Sequence, residues 1–226
     1  MKTLAIIPAY NEEGSVINTV NSLKRVVPNI DYIVIDDGSL DSTKELCVNN
    51  HLNIISLPIN IGLAGGFQTG MKHAFRQSYD AALQFDADGQ HKADYIQILI
   101  DSMIVTDADI VIGSRFVDEK KSFTARMIGS SLISVLIKLT TGKNIKDPTS
   151  GMRLYNRRMI ELFSNKQDLA PEPDTLAYCL RKGAKVIEVQ VEMQERSSGK
   201  SYLSASKSVS YMLRTCLSIL VLQWFR

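Results

Sequence analysis

The sequence lacks most of the features that mark a specialised class of protein. Its three cysteines, Cys47, Cys179 and Cys216, are far apart and form no metal or redox spacing. We therefore expect reduced thiols in a cytosolic protein. The short apolar run at the N-terminus is broken by Pro8 and does not predict a secretory signal. No uninterrupted apolar run approaches the roughly 18 residues that span a bilayer.

Charge of one sign is also scarce. The formal net charge is +2, which is too close to zero to indicate a nucleic-acid surface. Hydrophobic residues make up 45% of the chain and charged residues 22%, as in ordinary globular proteins. A chain of 226 residues is long enough for one large domain, or for a domain with an appendage, built around a substantial core.

Apolar strand-like runs alternate with segments of helical periodicity along the first half of the chain. This alternation predicts an α/β fold with a mostly parallel sheet and helices on both faces. The predicted strands are residues 3–10, 31–36, 53–57, 81–85 and 108–115. The predicted helices are residues 15–26, 42–50, a segment from the glycine turn at 62–66 to about 76, and 93–103.

Two carboxylates one residue apart follow the fourth predicted strand. Asp86 and Asp88 precede a turn at Gly89, and Gln90 and His91 come next. Neighbouring carboxylates repel each other unless a cation lies between them. Mg²⁺ binds one or two protein carboxylates together with phosphate oxygens. The stretch therefore indicates a metal–diphosphate site, although a polar turn with two solvated aspartates would have the same composition.

The ends of the other strands are polar as well, and ligands of open α/β sheets bind beyond these carboxyl ends. Polar residues follow the first strand at 10–12, the second at 36–37, the third near Asn60 and the fifth at Arg115. Five polar strand ends at one edge of the sheet are explained better by a binding site than by ordinary exposure of that edge to solvent. The glycines at 62, 65 and 66 do not match a dinucleotide fingerprint, which should follow the first strand.

Several segments, taken in order, resemble the family 2 glycosyltransferases of the GT-A fold, in particular the polyprenyl-phosphate branch that includes dolichol-phosphate mannose synthases. The resemblance covers nearly the whole chain, and its strength lies in the order of the motifs. The segments are Ile7–Glu13, Asp36–Ser39 with Asp41 and Thr43, Asn60 with Gly62, Asp86–His91, Gly113–Arg115, Asp147–Arg153, and Arg196 with Gly199 and Ser201.

The resemblance implies a nucleotide-sugar donor bound with Mg²⁺ or Mn²⁺. Asp86, Asp88 and Gln90 would then be the metal-side ligands, whereas His91 is expected to be structural. A bound cation would stabilise the charge that develops on the leaving nucleoside diphosphate. The implied donor-binding residues are Pro8, Tyr10, Glu12, Asp37, Asn60, Gly62 and Asp86.

The acceptor implied by the resemblance is an anionic lipid phosphate. Arginine suits it because the planar guanidinium donates two bonds at once. For Arg126, a surface arginine is an equally good interpretation. The implied acceptor-binding residues are Arg115, Arg126, Ser150, Arg153, Arg196 and Ser201.

A general base is not required by this chemistry, because a phosphate monoester has a second pKa of about 6 and is already nucleophilic at neutral pH. Asp147 could orient groups near the sugar or act as a base. Asp174, with Glu172 beside it, occupies roughly the position of the base in inverting GT-A enzymes. The expected catalytic residues are Asp88, Arg115, Asp147 and Asp174.

We divide the chain into a GT-A catalytic domain at 1–205 and an amphipathic C-terminal helix at 206–226. Apolar residues on one helical face, flanked by Lys207 and Arg214 and followed by Trp224, suggest a helix lying in a membrane surface. Packing on the sheet or on another subunit is the alternative. For a second amphipathic segment at 123–138, the two interpretations are equally good.

The resemblance thus implies an inverting, metal-dependent hexosyltransferase, which we expect on the cytoplasmic face of the membrane. The expected donor is UDP-glucose or UDP-N-acetylglucosamine, with GDP-mannose as the rival, and the acceptor is a polyprenyl phosphate such as undecaprenyl phosphate. A small membrane protein or a second copy of the chain are further conceivable partners, and no nucleic acid is expected. Alternatives are transfer to a hydroxyl acceptor, a nucleotide-sugar binding subunit without turnover, and a nucleotidyltransferase.

Overall fold

A computed structural model describes residues 1–119, 125–194, 205–221 and 224–225, with backbone alone at 125–126 and 205–209. Within these residues seven strands form one sheet in the order β3-β2-β1-β4-β6-β5-β7. The strands are β1 (Thr3–Ala9), β2 (Asp31–Asp36), β3 (Ile54–Ser56), β4 (Ala81–Gln84), β5 (Ile110–Ser114), β6 (Arg153–Asn156) and β7 (Val186–Gln190).

The sheet is mostly parallel, as the sequence predicts. Only β6 runs against its neighbours, pairing antiparallel with β4 on one side and with β5 on the other. The five predicted strands are confirmed with slightly narrower bounds, whereas β6 and β7 were not predicted. The sequence of β6, Arg-Leu-Tyr-Asn, is short and polar at both ends, so it lacks the continuous apolar run of a buried strand.

Eight helices cover the sheet within the described residues, and those predicted in the first half of the chain are confirmed. The segment predicted as a helix from Ala93 begins as a 3₁₀ turn at Ala93–Tyr95 and continues as α4. The helices are α1 (Val16–Val26), α2 (Thr43–Asn49), α3 (Gly62–Arg76), α4 (Ile96–Thr106), α5 (Ala125–Thr141), α6 (Arg157–Asn165), α7 (Pro173–Arg181) and α8 (Ala205–Leu220).

The two faces of the sheet have separate apolar cores. Alternate residues of β1 belong to different cores, since side chains of a strand point to opposite faces. Leu4 and Ile6 pack against the side covered by α3, α5, α6 and α7, whereas Ala5 and Ile7 pack against the side covered by α1 and α4. The sheet is therefore buried on both faces, and its carboxyl rim is free for a site.

Helix α8 packs on α5 and α7. Tyr211 donates its hydroxyl hydrogen to Glu172, and Ser218 Oγ donates to Asp174 Oδ2 at 2.6 Å. The described residues contain no helix long and apolar enough to cross a bilayer. Packing of α8 on the catalytic body therefore leaves one side of this helix for other contacts.

Close packing of α3 on β1 depends on Gly70. A Cβ atom at this position would overlap Cγ2 of Ile6, a fully buried residue of β1. Isoleucine has little freedom at χ1, so it cannot easily move aside. One turn earlier on the same helix, a Cβ atom at Gly66 would meet only Ile35 Cγ2, at an ordinary 3.8 Å.

We expect Gly70→Ala to destabilise the fold by about 1–3 kcal/mol, because the added methyl group overpacks the α3–β1 contact. Gly66→Ala is the matched control and should stabilise the fold by up to about 1 kcal/mol, since alanine is the better helix former. Urea unfolding of both variants measures the difference. Equal stabilities would contradict the close approach at Gly70.

Candidate functional site

The loops that follow β1 and β2 are joined by hydrogen bonds between backbone and side chains. The backbone N–H of Asn11 donates to Ser39 Oγ at 3.0 Å, and that of Glu12 donates to Thr43 Oγ1 at 2.8 Å. In return, the N–H of Leu40 donates to Asn11 Oδ1 at 2.8 Å. These reciprocal bonds hold the two loops as one unit at the carboxyl rim.

The predicted donor residues of the first loop lie at the edge of this unit. Pro8 is half-buried at the end of β1, Tyr10 is 36% exposed, and Glu12 is half-buried. Glu12 Oε2 accepts a hydrogen bond from Ser15 Oγ at 2.5 Å. The ring of Tyr10 is therefore available to a ligand above the rim, whereas the carboxylate of Glu12 also fixes the entry to α1.

Asp37 ties the second loop to the start of α3. Its two carboxylate oxygens accept the backbone N–H groups of Ile61 and Gly62, each at 2.8 Å. Burial raises the pKa of Asp37, although the two N–H groups act in the opposite direction. The same turn keeps Asn60 exposed beside Gly38, where φ is +66° and an added Cβ would strike the backbone of Ile59 and Asn60.

The aspartate pair follows β4 as predicted. The side chain of Asp86 is 33% exposed, and Asp88 is 5% exposed. Asp88 Oδ1 accepts the backbone N–H of Gln90 at 3.0 Å, across a turn in which Gly89 has φ +78°. This turn brings Gln90, which is half-buried, to the same end of the strand as the two carboxylates.

Three neighbours surround the Asp86 carboxylate from inside the protein. Gln84 Nε2 donates to Oδ1 at 3.1 Å, and His91 Nε2 lies 3.6 Å from Oδ2. A Cβ atom at Gly151 would lie 2.7 Å from Oδ2, so only glycine leaves room for the carboxylate there. The buried side of Asp86 is thus filled, and its exposed side faces outward.

This donor set fits a hard divalent cation. Two carboxylates and one amide oxygen are the ligand types that Mg²⁺ and Mn²⁺ prefer, and a diphosphate would complete the coordination. The described residues contain no group of three His, Cys, Asp or Glu side chains that could hold a metal by themselves. The residues present therefore suit a cation that arrives with its phosphate ligand.

Arg115 and Asp147 form a bidentate ion pair. Arg115 Nε donates to Asp147 Oδ2 at 2.7 Å, and Nη2 donates to Oδ1 at 2.9 Å. Asp147 is fully buried, whereas the arginine side chain is 23% exposed. Burial alone would raise the pKa of Asp147, but the hydrogen bonds and charge of Arg115 outweigh it and hold that pKa below its usual value of 3.8.

The loop that contains Asp147 is anchored at both ends. Glu188 of β7 accepts the backbone N–H groups of Lys146 and Asp147, each at 2.7 Å. Further along, Ser150 Oγ donates to Gly113 O at 2.5 Å. Because Gly151 follows immediately, one five-residue loop touches Arg115 at its start and Asp86 at its end.

Arg153 lies inside the protein rather than at the rim. It is 2% exposed, and it donates from Nε to Ser150 O at 2.9 Å and from Nη2 to Pro148 O at 2.6 Å. In this structure the guanidinium therefore holds the 147–151 loop from the interior of the protein, through two of the loop's backbone carbonyl groups. Direct contact with an acceptor phosphate, as the sequence predicts, would require this side chain to exchange its partners.

Asp174 and Glu172 contact the C-terminal helix. Asp174 accepts from the Thr175 backbone N–H at 2.9 Å and from Ser218 Oγ, and Glu172 accepts from Tyr211. Burial raises the pKa of Glu172 above its usual value of 4.5. Both carboxylates of this predicted base region thus secure α8 to α7.

Three predicted acceptor residues remain without side-chain geometry. Arg196 and Ser201 lie outside the described residues, and Arg126 is described only as backbone in the first turn of α5. They stay predictions.

Sequence reasoning missed three residues of the site. Gln84 carries a recognisable signal, because it is the one polar side chain within the apolar run 81–85. Gly151 was seen only as part of a motif, and its contact with Asp86 is visible only in three dimensions. Glu188 lies in β7, a strand that was not predicted, so nothing in the sequence connected it to Asp147.

Comparison with known proteins agrees with this arrangement. The model of glycosyl transferase family 2 matches residues 4–163, which include both donor loops and the 147–151 loop. The chain belongs to this family. Within the family it belongs to the polyprenyl-phosphate branch.

Relatives from three organisms are similar over most of their length. An undecaprenyl-phosphate mannosyltransferase of Micrococcus luteus is 31% identical, over 90% of this chain and 88% of its own. A polyprenol monophosphomannose synthase of Mycolicibacterium smegmatis is 29% identical, over 91% and 82%. A UDP-N-acetylglucosamine–dolichyl-phosphate N-acetylglucosaminyltransferase of Methanococcus voltae is 33% identical, over 71% and 72%.

The fold is also that of solved GT-A glycosyltransferase structures. Glucosyl-3-phosphoglycerate synthase from Mycobacterium tuberculosis, crystallised with UDP, superposes with a TM-score of 0.70 at 17% identity, covering 96% of this glycosyltransferase and 79% of that chain. At this identity the similarity concerns the fold, and it confirms the GT-A prediction.

The low pKa of Asp147 predicts how the stability of this glycosyltransferase changes with pH. The folded state binds fewer protons than the unfolded state, so the Arg115–Asp147 contribution is complete above the unfolded pKa of about 3.9 and is lost as pH falls below it. Asp147→Asn should lose about 3 kcal/mol at pH 7 and a smaller amount at pH 3. Urea unfolding at both pH values measures the difference.

Asp101→Asn is the control for this comparison. Asp101 is an exposed carboxylate of α4 that accepts a hydrogen bond from Gln97 Nε2 of the same helix at 2.8 Å. Its replacement should change the free energy of unfolding by no more than about 0.5 kcal/mol at either pH. An Asp147→Asn effect that is equally large at pH 7 and pH 3 would refute the role assigned to the ion pair.

Proposed function

We propose that this glycosyltransferase moves a hexose from a nucleotide sugar to a polyprenyl phosphate, with inversion at the anomeric carbon. The observation behind the proposal is the 147–151 loop, which contacts the predicted acceptor residue Arg115 at one end and the predicted metal-side residue Asp86 at the other. A donor diphosphate at Asp86 and an acceptor phosphate at Arg115 would therefore lie close to each other, one at each end of this loop.

Each half of the reaction has its own residues. A divalent cation held by Asp86, Asp88 and Gln90 would neutralise charge on the diphosphate that leaves. On the acceptor side, Nε and Nη2 of Arg115 donate to Asp147, so Nη1 would be the donor to the phosphate. A phosphate oxygen attacks the anomeric carbon, the bond from that carbon to the diphosphate breaks, and the nucleoside diphosphate departs with the electron pair.

The geometry favours an acceptor that needs no general base. Asp147 accepts arginine hydrogens on both oxygens and has a lowered pKa, so it is a weak base. Asp174 also accepts hydrogen bonds on both oxygens. A hydroxyl acceptor must lose a proton to such a base, whereas a phosphate monoester is already ionised near neutral pH. The polyprenyl phosphate is therefore preferred to the hydroxyl acceptor.

UDP-glucose and UDP-N-acetylglucosamine are the proposed donors, and GDP-mannose is the rival. The Methanococcus voltae relative is named for UDP-N-acetylglucosamine, and a relative from Trichomonas vaginalis, 30% identical, is named as a dolichyl-phosphate β-glucosyltransferase. The two mannosyl relatives support the rival. Release of nucleoside diphosphate would distinguish an enzyme from a nucleotide-sugar binding subunit without turnover.

The proposed location is peripheral, on the cytoplasmic face of the membrane, where a lipid acceptor is accessible. Helix α8 exposes Leu213, Leu217 and Leu220 at helical spacing. Helix α5, which packs against α8, exposes a second stripe of apolar residues at the same spacing. Its members are Ile128, Leu132, Val135 and Leu139, each at least 50% exposed.

These two stripes are suited to the interfacial region of a bilayer, into which amphipathic helices insert an apolar face. Exposed Lys138 and Arg214 on the same helices match the anionic headgroups of a cytoplasmic leaflet. Ser130 of α5 also lies 3.4 Å from Thr149, next to the Arg115–Asp147 pair. A membrane against α5 would therefore bring lipid headgroups close to the acceptor arginine.

A donor screen tests the enzymatic proposal. The protein is incubated with Mg²⁺ or Mn²⁺ and a short polyprenyl phosphate, together with UDP-glucose, UDP-N-acetylglucosamine, UDP-galactose or GDP-mannose. We expect nucleoside diphosphate release with one UDP-sugar, dependent on both metal and lipid. Release with GDP-mannose alone would overturn the donor proposal, and no release with any donor would overturn the transfer reaction.

Asp88→Ala should lower the metal-dependent rate roughly 100-fold or more, because one carboxylate of the diphosphate site is lost. Asp94→Ala, an exposed aspartate of the adjacent 3₁₀ turn, is the matched control and should retain the rate. Nucleotide release under saturating donor measures both. Full activity in Asp88→Ala would contradict its assignment.

The membrane proposal is tested by flotation with vesicles that contain anionic phospholipid. Leu213→Ser with Leu217→Ser should reduce the bound fraction at least about 10-fold, since each exposed leucine contributes on the order of 1.5–3 kcal/mol on burial. Ile104→Ser with Val105→Ser on α4 removes equally exposed apolar residues from another helix and should leave binding unchanged. Equal losses in both pairs would contradict a specific face.

A further inference from the structure

Each oxygen of the Asp86 carboxylate has a buried side chain of the protein beside it. Gln84 Nε2 donates to Oδ1 at 3.1 Å, and His91 Nε2 lies 3.6 Å from Oδ2. Gln84 is 1% exposed and His91 is 7% exposed, so neither is a solvent-facing side chain that meets Asp86 by chance. Both approach from the buried side, and the outward side of the carboxylate stays open.

The backbone determines which nitrogen of His91 faces Asp86 as a donor. The N–H of Asp86 donates to His91 Nδ1 at 2.9 Å, so Nδ1 must be the accepting nitrogen of the ring. The ring hydrogen is then on Nε2, which is the atom directed at Oδ2. The edge of Phe85, with ring centroids 5.6 Å apart, fixes the plane of the imidazole.

Gln84 has an unusual position for a glutamine. It is the last residue of β4, paired in register with Ile6 of β1 and Arg153 of β6. Its Oε1 atom is buried and has no hydrogen-bond partner among the described residues. A buried oxygen without a partner costs on the order of 1–3 kcal/mol, and hydrophobic residues fill the neighbouring positions of the strand. Stability therefore does not explain this residue, whereas its bond to Asp86 does.

We propose that Gln84 and His91 are positioning residues that hold Asp86 in the orientation for binding a divalent cation, an inference that depends on the metal role in the proposed function. Outer hydrogen bonds to metal ligands fix the direction of the ligand and tune its affinity. Gly151 completes the arrangement, because a Cβ atom at this position would lie 2.7 Å from Oδ2 and displace the carboxylate. Gln84 and His91 do not touch the cation, and each acts through the carboxylate of Asp86.

The test measures Mn²⁺ binding to the 226-residue protein by electron paramagnetic resonance, with UDP present. Gln84→Met keeps the shape of the side chain but removes the donor, and His91→Phe keeps a ring but removes both nitrogens. We expect each variant to weaken Mn²⁺ binding roughly 10-fold. His91→Gln returns an amide donor and should recover part of the affinity, which a purely structural role would not.

Gln68→Met is the matched control. Gln68 is a buried glutamine of α3 whose Nε2 donates to Lys166 O and Leu169 O, away from the rim. This variant should lower the midpoint of urea unfolding and leave the dissociation constant for Mn²⁺ unchanged. The comparison separates general destabilisation from loss of orientation.

The outcomes distinguish the inference from the function on which it depends. If the wild-type protein binds no Mn²⁺ with UDP, the proposed metal role fails and the inference fails with it. If the wild-type protein binds Mn²⁺ and the Gln84→Met and His91→Phe variants bind as tightly as Gln68→Met, the inference alone is overturned.

Discussion

The bidentate pair of Arg115 and Asp147 is the interaction on which the proposed acceptor half of the site depends. A buried carboxylate without a partner would be costly, so Asp147 requires the arginine, and the arginine in turn is held in one orientation. Glu188 accepts the backbone N–H of the same aspartate, and Thr149 Oγ1 donates to its Oδ1. The result is a cation whose position is determined before any substrate arrives, which lowers the entropy lost on binding.

The donor half depends on backbone hydrogen bonds instead of ion pairs. Asp37 accepts two N–H groups at the start of α3, and hydrogen bonds between Asn11 and the second loop fasten the rim. The outward side of the Asp86 carboxylate, whose side chain is 33% exposed, stays open to a cation. A divalent cation would meet this exposed negative charge, whereas the charge of Arg115 is already paired with Asp147. The two halves are thus held by different kinds of interaction.

The sequence predicted the fold and the rim residues because these depend on local patterns. Strand–helix alternation needs only periodicity, and Asp86 with Asp88 follows a clear apolar strand. Contacts between distant segments were beyond the same reasoning. Arg153 is buried, and Gly151 lies against Asp86, because β6 runs antiparallel between β4 and β5. Asp174 meets Ser218 because α8 packs on α7.

The reversed direction of β6 has one further consequence. Parallel strands deliver their exit loops to the carboxyl rim, but an antiparallel strand delivers the loop by which the chain enters it. The predicted acceptor loop at 147–151 therefore comes from the segment after α5, whereas every predicted donor loop comes from the chain before α4. The residues predicted for the sugar nucleotide and those predicted for the acceptor thus occupy separate halves of the sequence, and Gly151 is the position at which a larger side chain on the acceptor side would also displace the Asp86 carboxylate.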